Sequence, residues 1–162
     1  MLVASFQVSE NVKHGNYIGY HPDGSVFEES TYLKGEVHGI RSLYYEGAKK
    51  IQTVETYEHG VMSGLFEEYH FNGQVSFTGL YVDNAMDGVW KKYNESGQLL
   101  EEVSFRDSEE NGPFKEYHLN GQGAAEGAYL NGDHEHGPLK MYDDQGQLIK
   151  EMNCDRGICR TV

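Results

Sequence analysis

Basic residues are scarce in this chain of 162 residues: 13 Lys and Arg stand against 26 Asp and Glu, a formal net charge of −13. Binding to nucleic acid phosphates or to anionic lipid headgroups runs through Lys and Arg contacts, so a surface this negative argues against both and favours cationic partners. Apolar runs are short as well. None reaches the roughly 18 apolar residues that a membrane-spanning helix needs. Residues 1–14 lack a basic start followed by a long apolar run, so the chain is expected in the cytoplasm.

Only two cysteines occur, Cys154 and Cys159, too few for a zinc site. They flank a turn, where a bridge is geometrically feasible given an oxidising compartment; the other reading is a capped or frayed end. Catalytic signatures are missing. There is no G-x-S-x-G with triad partners and no Walker-type loop. Adjacent acids such as Glu28-Glu29, Glu67-Glu68, Glu101-Glu102 and Glu109-Glu110 point to opposite faces of a strand, the wrong geometry for two carboxylates sharing one bond. His14, His38 and His136 each precede a glycine, but equivalent positions in neighbouring hairpins lie about 10 Å apart, too far to share a metal. His134-Glu135-His136 beside Asp133 lacks a second ligand group. The expectation is a non-enzyme with no cofactor and no metal.

Glycine and tyrosine, by contrast, are abundant and periodic. Gly15, Gly39, Gly64, Gly88, Gly112 and Gly137 follow one another at separations of 24, 25, 24, 24 and 25 residues. Five residues after each stands a tyrosine: Tyr20, Tyr44, Tyr69, Tyr93, Tyr117 and Tyr142. A second glycine comes nine residues after the first in all but the second repeat, which carries Gly47 and one extra residue. An aromatic closes most repeats, at Tyr32, Tyr57, Tyr81, Phe105 and Tyr129, and Cys154 takes that place in the last. A fixed period of this length means a repeat architecture.

Within a repeat the hydrophobic period is two, as in Val75, Phe77, Gly79 and Tyr81, so each repeat reads as strands. His70-Phe71-Asn72-Gly73 and His118-Leu119-Asn120-Gly121 supply the positive φ of a tight turn between two such runs. Each repeat is thus a β-hairpin, and a lone hairpin is marginal in water, so the hairpins must pair edge to edge. The predicted fold is all-β: one elongated, solenoid-like antiparallel meander of six tandem hairpins, a single domain over residues 1–162. The repeats span 15–38, 39–63, 64–87, 88–111, 112–136 and 137–162, after a capping strand within residues 1–14 that includes Leu2 to Val8. At about 4.8 Å per strand, a dozen strands make a ribbon roughly 55–60 Å long. A longer turn or bulge is expected at Tyr44 to Lys50. Pro113 and Pro138 are read as first residues of strands. Gly123-Ala124-Ala125 stands where other repeats have large apolar residues, so the ribbon is thinner there or something else packs against it.

The recurring G-x-[FW]-x-x-Y-x-x-x-G-Q-[LV] of Gly64 to Val75 and Gly88 to Leu99 resembles the MORN repeat in its bacterial variant form, as in YwqK-like proteins. The resemblance covers Gly15 to Met152. It implies a hairpin array without catalytic residues, acting as an antitoxin or immunity protein in the bacterial family, or in scaffolding and membrane attachment elsewhere. Charge opposes the membrane role and favours a basic, toxin-like protein partner. Candidate contact residues are Tyr69, Tyr93 and Tyr117 with Glu67, Glu68, Glu101 and Glu102. Trp90, the one tryptophan, is either a contact residue or the largest member of a packing stripe with Tyr17, Phe66 and Phe114. The alternative function is a structural scaffold that self-associates through terminal strands. Acidity that merely keeps the sheet soluble explains the charge equally well. The second-position aromatic and the fifth-position tyrosine fall on opposite faces unless a bulge intervenes.

Overall fold

A computed structural model describes residues 4–9 and 11–162; Leu2 and Val3 of the expected capping strand lie outside the described residues. Among the described residues there are fifteen strands and no helix. The chain divides into two compact units, Met1–Asn84 and Ala85–Val162.

In the N-terminal unit, β1 (Ala4–Ser9), β2 (Val12–Tyr20), β3 (Val26–Leu33), β5 (Gly39–Tyr44), β6 (Ile51–Glu58), β7 (Val61–Tyr69) and β8 (Val75–Val82) form a consecutive antiparallel meander. The short β4 (Glu36–Val37) also pairs with β3, as the leading piece of the strand that β5 continues. The C-terminal unit repeats the plan with β9 (Ala85–Tyr93), β10 (Leu99–Arg106), β11 (Glu109–Tyr117), β12 (Gly123–Tyr129), β13 (Gly137–Tyr142), β14 (Leu148–Asp155) and β15 (Ile158–Thr161).

Two kinds of turn alternate. Inside a repeat, the His70 N–H donates to Gln74 O and the Gly73 N–H to His70 O, each at 2.8 Å, with Gly73 at φ 90°. The His118 turn has the same two bonds. Between repeats, two residues suffice, both at positive φ: Lys34-Gly35, His59-Gly60, Asp107-Ser108 and Arg156-Gly157. That is the turn whose twist matches paired strands. These turns also bond to the hairpin before them, since the Gly35, Gly60, Ser108 and Gly157 N–H groups donate to the carbonyls of Lys13, Val37, Met86 and Glu135. In the second repeat the extra residue is absorbed in the turn, closed by the Tyr45 N–H to Lys50 O bond at 3.0 Å.

Gly15, Gly64, Gly88 and Gly112 sit inside strands, whereas Gly39 and Gly137 open β5 and β13. Gly64 faces Tyr81 across the β7–β8 ladder, and Gly112 faces Tyr129 across β11–β12. On the other side the register slips, between Glu55 and Tyr57 of β6 and between Val103 and Phe105 of β10. Gly64 at φ 128° and Gly112 at φ 116° make that bulge, and a Cβ on Gly64 would stand 2.9 Å from Thr56 Cβ. Pro113 therefore lies in the middle of β11 and not at its start, as the sequence suggested. It is tolerated because the bulge has already opened the β10–β11 ladder beside it.

A second irregularity recurs at each fifth-position tyrosine. Opposite it, one residue of the returning strand goes unpaired: Phe27, Gln52, Ser76, Leu100, Ala124 and Ile149. The bulge is on the partner strand, so the alternation along the tyrosine's own strand is untouched. Second-position side chains and fifth-position tyrosines accordingly lie on opposite faces of each unit. We call these the core face and the tyrosine face.

On the core face the second-position ring packs on the closing ring of its own repeat: Tyr17 on Tyr32, Phe66 on Tyr81, Trp90 on Phe105 and Phe114 on Tyr129, with centroids 4.4–6.3 Å apart. Val103, Phe114, Ala125, Leu139, Met152 and Cys154 form the core of the C-terminal unit. The small residues of the fifth repeat are filled by neighbours, since a Cβ on Gly127 would lie 2.8 Å from the Phe114 ring and 3.1 Å from Leu139. Cys154 and Cys159 face each other across β14–β15 and are joined as a disulfide. In the N-terminal unit the corresponding positions are polar: Glu28, Ser30 and Glu55 are buried around Arg41.

Candidate functional site

The tyrosine face carries a recurring side-chain couple. Tyrosine hydroxyls donate to carboxylates at 2.6–2.8 Å: Tyr44 to Glu29, Tyr69 to Glu67, Tyr117 to Glu102 and Tyr142 to Glu126. Glu29, Glu102 and Glu126 share one repeat position, fourteen residues after the leading glycine. In these three couples the tyrosine belongs to the following repeat, so the bond crosses between neighbouring hairpins. An ionised acceptor makes such bonds strong and short.

The couples raise the titration of the tyrosines. The Tyr44 and Tyr69 phenols are pushed up to about 12 by burial and then by their bonds to Glu29 and Glu67. Tyr117 reaches about 12 chiefly through its bond to Glu102. Glu102 is held below the ordinary carboxylate value by hydrogen bonds from Lys91 and Tyr117.

A further rung of this face lies three residues after the leading glycine. In the C-terminal unit it holds Lys91, Lys115 and Lys140, and in the N-terminal unit Ile18, Ser42 and Glu67. Lys91 Nζ lies 2.9 Å from Glu102 Oε1, and Lys140 Nζ lies 3.9 Å from Glu126 Oε1. Lys115 stands opposite both Glu102 and Glu126 in the ladders, and Lys140 opposite Glu151. The C-terminal unit thus neutralises its own tyrosine face. The N-terminal unit does not.

The eight contact residues expected from sequence do not make one surface. Glu67 and Tyr69 share the tyrosine face of the N-terminal unit. Glu102 and Tyr117 are bonded on that of the C-terminal unit, where Tyr93, two residues from Lys91, shares the face. Glu68 and Glu101, each adjacent to a tyrosine-face residue, point to the core face, where Glu101 stands opposite Lys92 and Glu116. Trp90 is 1% exposed, so its role is packing and not contact. Glu29, Tyr44, Glu126 and the three lysines were missed. Aligning charges by repeat position, and not by adjacency, is the signal that finds them. Among the described residues no group of three or more His, Cys, Asp or Glu side chains is arranged to hold a metal ion.

Residues 13–34, 62–83, 86–107, 110–131 and 135–153 match the MORN repeat variant. The chain belongs to the MORN repeat variant family. Each matched MORN segment begins two residues before a leading glycine. Residues 35–61 fall outside the match. That span has Arg41 in the aromatic's place and an extra turn residue, yet it folds as the same hairpin. No curated protein sequence matches this chain. MORN repeats are a non-enzymatic repeat type, often binding or scaffolding.

Proposed function

We propose that this MORN-repeat protein works by binding a basic protein, and that the partner is a toxin-like protein which it neutralises as an antitoxin or immunity protein. The observation that carries this reading is the regular display of carboxylates held by tyrosine hydroxyls in a chain of net charge −13. Tyrosine offers a large, stiff contact area at low entropic cost, and ordered carboxylates accept Lys and Arg without first having to be organised. Surplus negative charge also speeds the encounter with a cationic surface. The resemblance to YwqK-like proteins adds the antitoxin class.

The test is a tagged full-length chain used to capture partners from its native cell, washed at low and high salt, with the eluate identified by mass spectrometry. One stoichiometric basic protein, released by salt and toxic when expressed alone, is the expected result. Recovery of the bait by itself in a ladder of self-assembled sizes would replace this reading with a scaffold.

A further inference from the structure

The tyrosine face of the N-terminal unit combines two features. Its carboxylates Glu29, Glu58 and Glu67 share no ion pair with any Lys or Arg among the described residues, whereas the same face of the C-terminal unit is laced with lysines. Beside these acids the face leaves large aliphatic side chains in water: Ile40 is 61% exposed, Leu65 44%, Leu80 51% and Val82 51%. Three of them lie in a row across neighbouring strands. Ile40 pairs with Thr56, the Thr56 hydroxyl donates to Leu65 O at 2.9 Å, and Leu65 pairs with Leu80. At its β2–β5 end the row opens into a groove of about 390 Å³ whose lining includes Ile18, Glu29, Thr31, Ile40 and Ser42.

Glu29 and Glu67 lie in one row across the strands, parallel to the row of Ile40, Leu65 and Leu80. Glu67 is two residues from Leu65 on β7, roughly 6.5–7 Å along the strand. A ligand crossing the strands therefore meets negative charge along one side and apolar surface along the other. The carboxylates are ordered by Tyr44 and Tyr69, whose hydroxyls donate a hydrogen bond and bring no positive charge. Tyr44 and Tyr69 thus do for Glu29 and Glu67 what lysines do elsewhere, and leave a cation to be supplied from outside.

We infer that this face docks an amphipathic basic segment of a protein partner, with Lys or Arg side chains over Glu29 and Glu67 and aliphatic side chains over Ile40, Leu65 and Leu80. This rests on the proposed basic protein partner and adds where it binds and by which chemistry.

The experiment uses the full chain and two dye-labelled synthetic peptides of equal charge, one amphipathic and built from Lys and Leu, the other from Lys and Ser, followed by fluorescence anisotropy at low salt. The Lys/Leu peptide is expected to bind more tightly. Its affinity should fall roughly tenfold in Glu29→Gln/Glu67→Gln and again in Ile40→Ser/Leu65→Ser, and change little in Asp144→Asn/Glu151→Gln, which removes the same charge from the C-terminal unit. Glutamine still accepts the tyrosine hydroxyl and the serines replace exposed side chains, so the variants fold; circular dichroism melts check this. Equal binding of both peptides, absence of binding, or equal losses in the two charge variants would overturn the inference. So would concentration-dependent dimers that Ile40→Ser/Leu65→Ser dissolves, since a second copy would then cover the face. A captured basic partner whose affinity ignores all the N-terminal substitutions would leave the proposed function standing and remove this docking face alone.

Discussion

Arg41 Nε lies 3.1 Å from Glu28 Oε1, and the same guanidinium reaches Glu55 Oε2 at 3.4 Å. One cation thus serves two buried carboxylates, whose remaining needs are met by the Ser30 hydroxyl on Glu28 and the Tyr57 hydroxyl on Glu55. Arg41 stands two residues after its leading glycine, where the C-terminal unit has Trp90, Phe114 and Leu139. Between the aromatic pairs of Tyr17 and Phe66, the N-terminal unit thus holds an ionic network at this position.

Removing only the cation strands both acids. Arg41→Met should destabilise the N-terminal unit by about 3 kcal/mol, the low end for a broken buried pair because the Arg41 side chain keeps 27% of its surface exposed. Replacing the whole network, with Arg41→Phe, Glu55→Val and Glu28→Ala together, should recover most of that loss. Urea denaturation measures both. A single variant as stable as the parent would show that the network contributes nothing.

Gly127 and Gly123 lie on the same strand, β12, and differ in what surrounds them. A methyl on Gly127 would press on Phe114 and Leu139, while one on Gly123 meets nothing within 4 Å. Gly127→Ala is expected to cost about 1–3 kcal/mol through overpacking. Gly123→Ala should stay within about 0.5 kcal/mol of the parent. Equal melting temperatures for the two variants would contradict this packing.

The Cys154–Cys159 bridge closes a loop with a sequence separation of 5, and Cys154 is 2% exposed within the core of its unit. For so short a loop, chain entropy assigns the bridge roughly 2 kcal/mol. Reductant should therefore lower the stability of the C-terminal unit by about that amount and leave the N-terminal unit unchanged. Denaturation with and without reductant, alongside thiol counting by mass spectrometry, decides the matter; two free thiols in protein purified without reductant would count against the bridge.

Four tyrosines should titrate late. Burial raises Tyr44, Tyr69 and Tyr129 from 10.0 to about 12, helped by hydrogen bonds to Glu29 and Glu67 in the first two and by the charge of Glu110 near the third. The Glu102 bond does the same for Tyr117. A phenol whose pKa rises on folding holds its proton more tightly in the native state, so its stabilising contribution is complete below pH 10.0 and fades as pH climbs toward about 12. Phenolate absorbance between those values should be lower for folded than for denatured protein. Coincident titration curves would count against the tyrosine–carboxylate couples and the burial of the Tyr129 ring.

The 24–25-residue period, the hairpins, the Asn-Gly turns and the single register of Tyr20 to Tyr142 were all legible in the sequence. Each depends on local chemistry: a glycine that tolerates positive φ, or side chains that alternate along a strand. What the sequence left open were relations across strands. Gly112 looked like the start of a strand until its ladder showed a bulge, and Pro113 moved with it. Strand alternation already split Glu67 from Glu68 and Glu101 from Glu102, but only the bonds to Tyr69 and Tyr117 showed which member of each pair shares the tyrosine face. Trp90 carried two readings until its 1% exposure chose between them. Lys91 meets Glu102 only because β9 and β10 pair in one register, and Arg41 reaches Glu28 only because β5 pairs with β3. A slip of one residue would send each side chain to the other face. Backbone chemistry within the sequence thus determines that these hairpins form. The tertiary pairing decides which charges are neutralised and which are left for a partner.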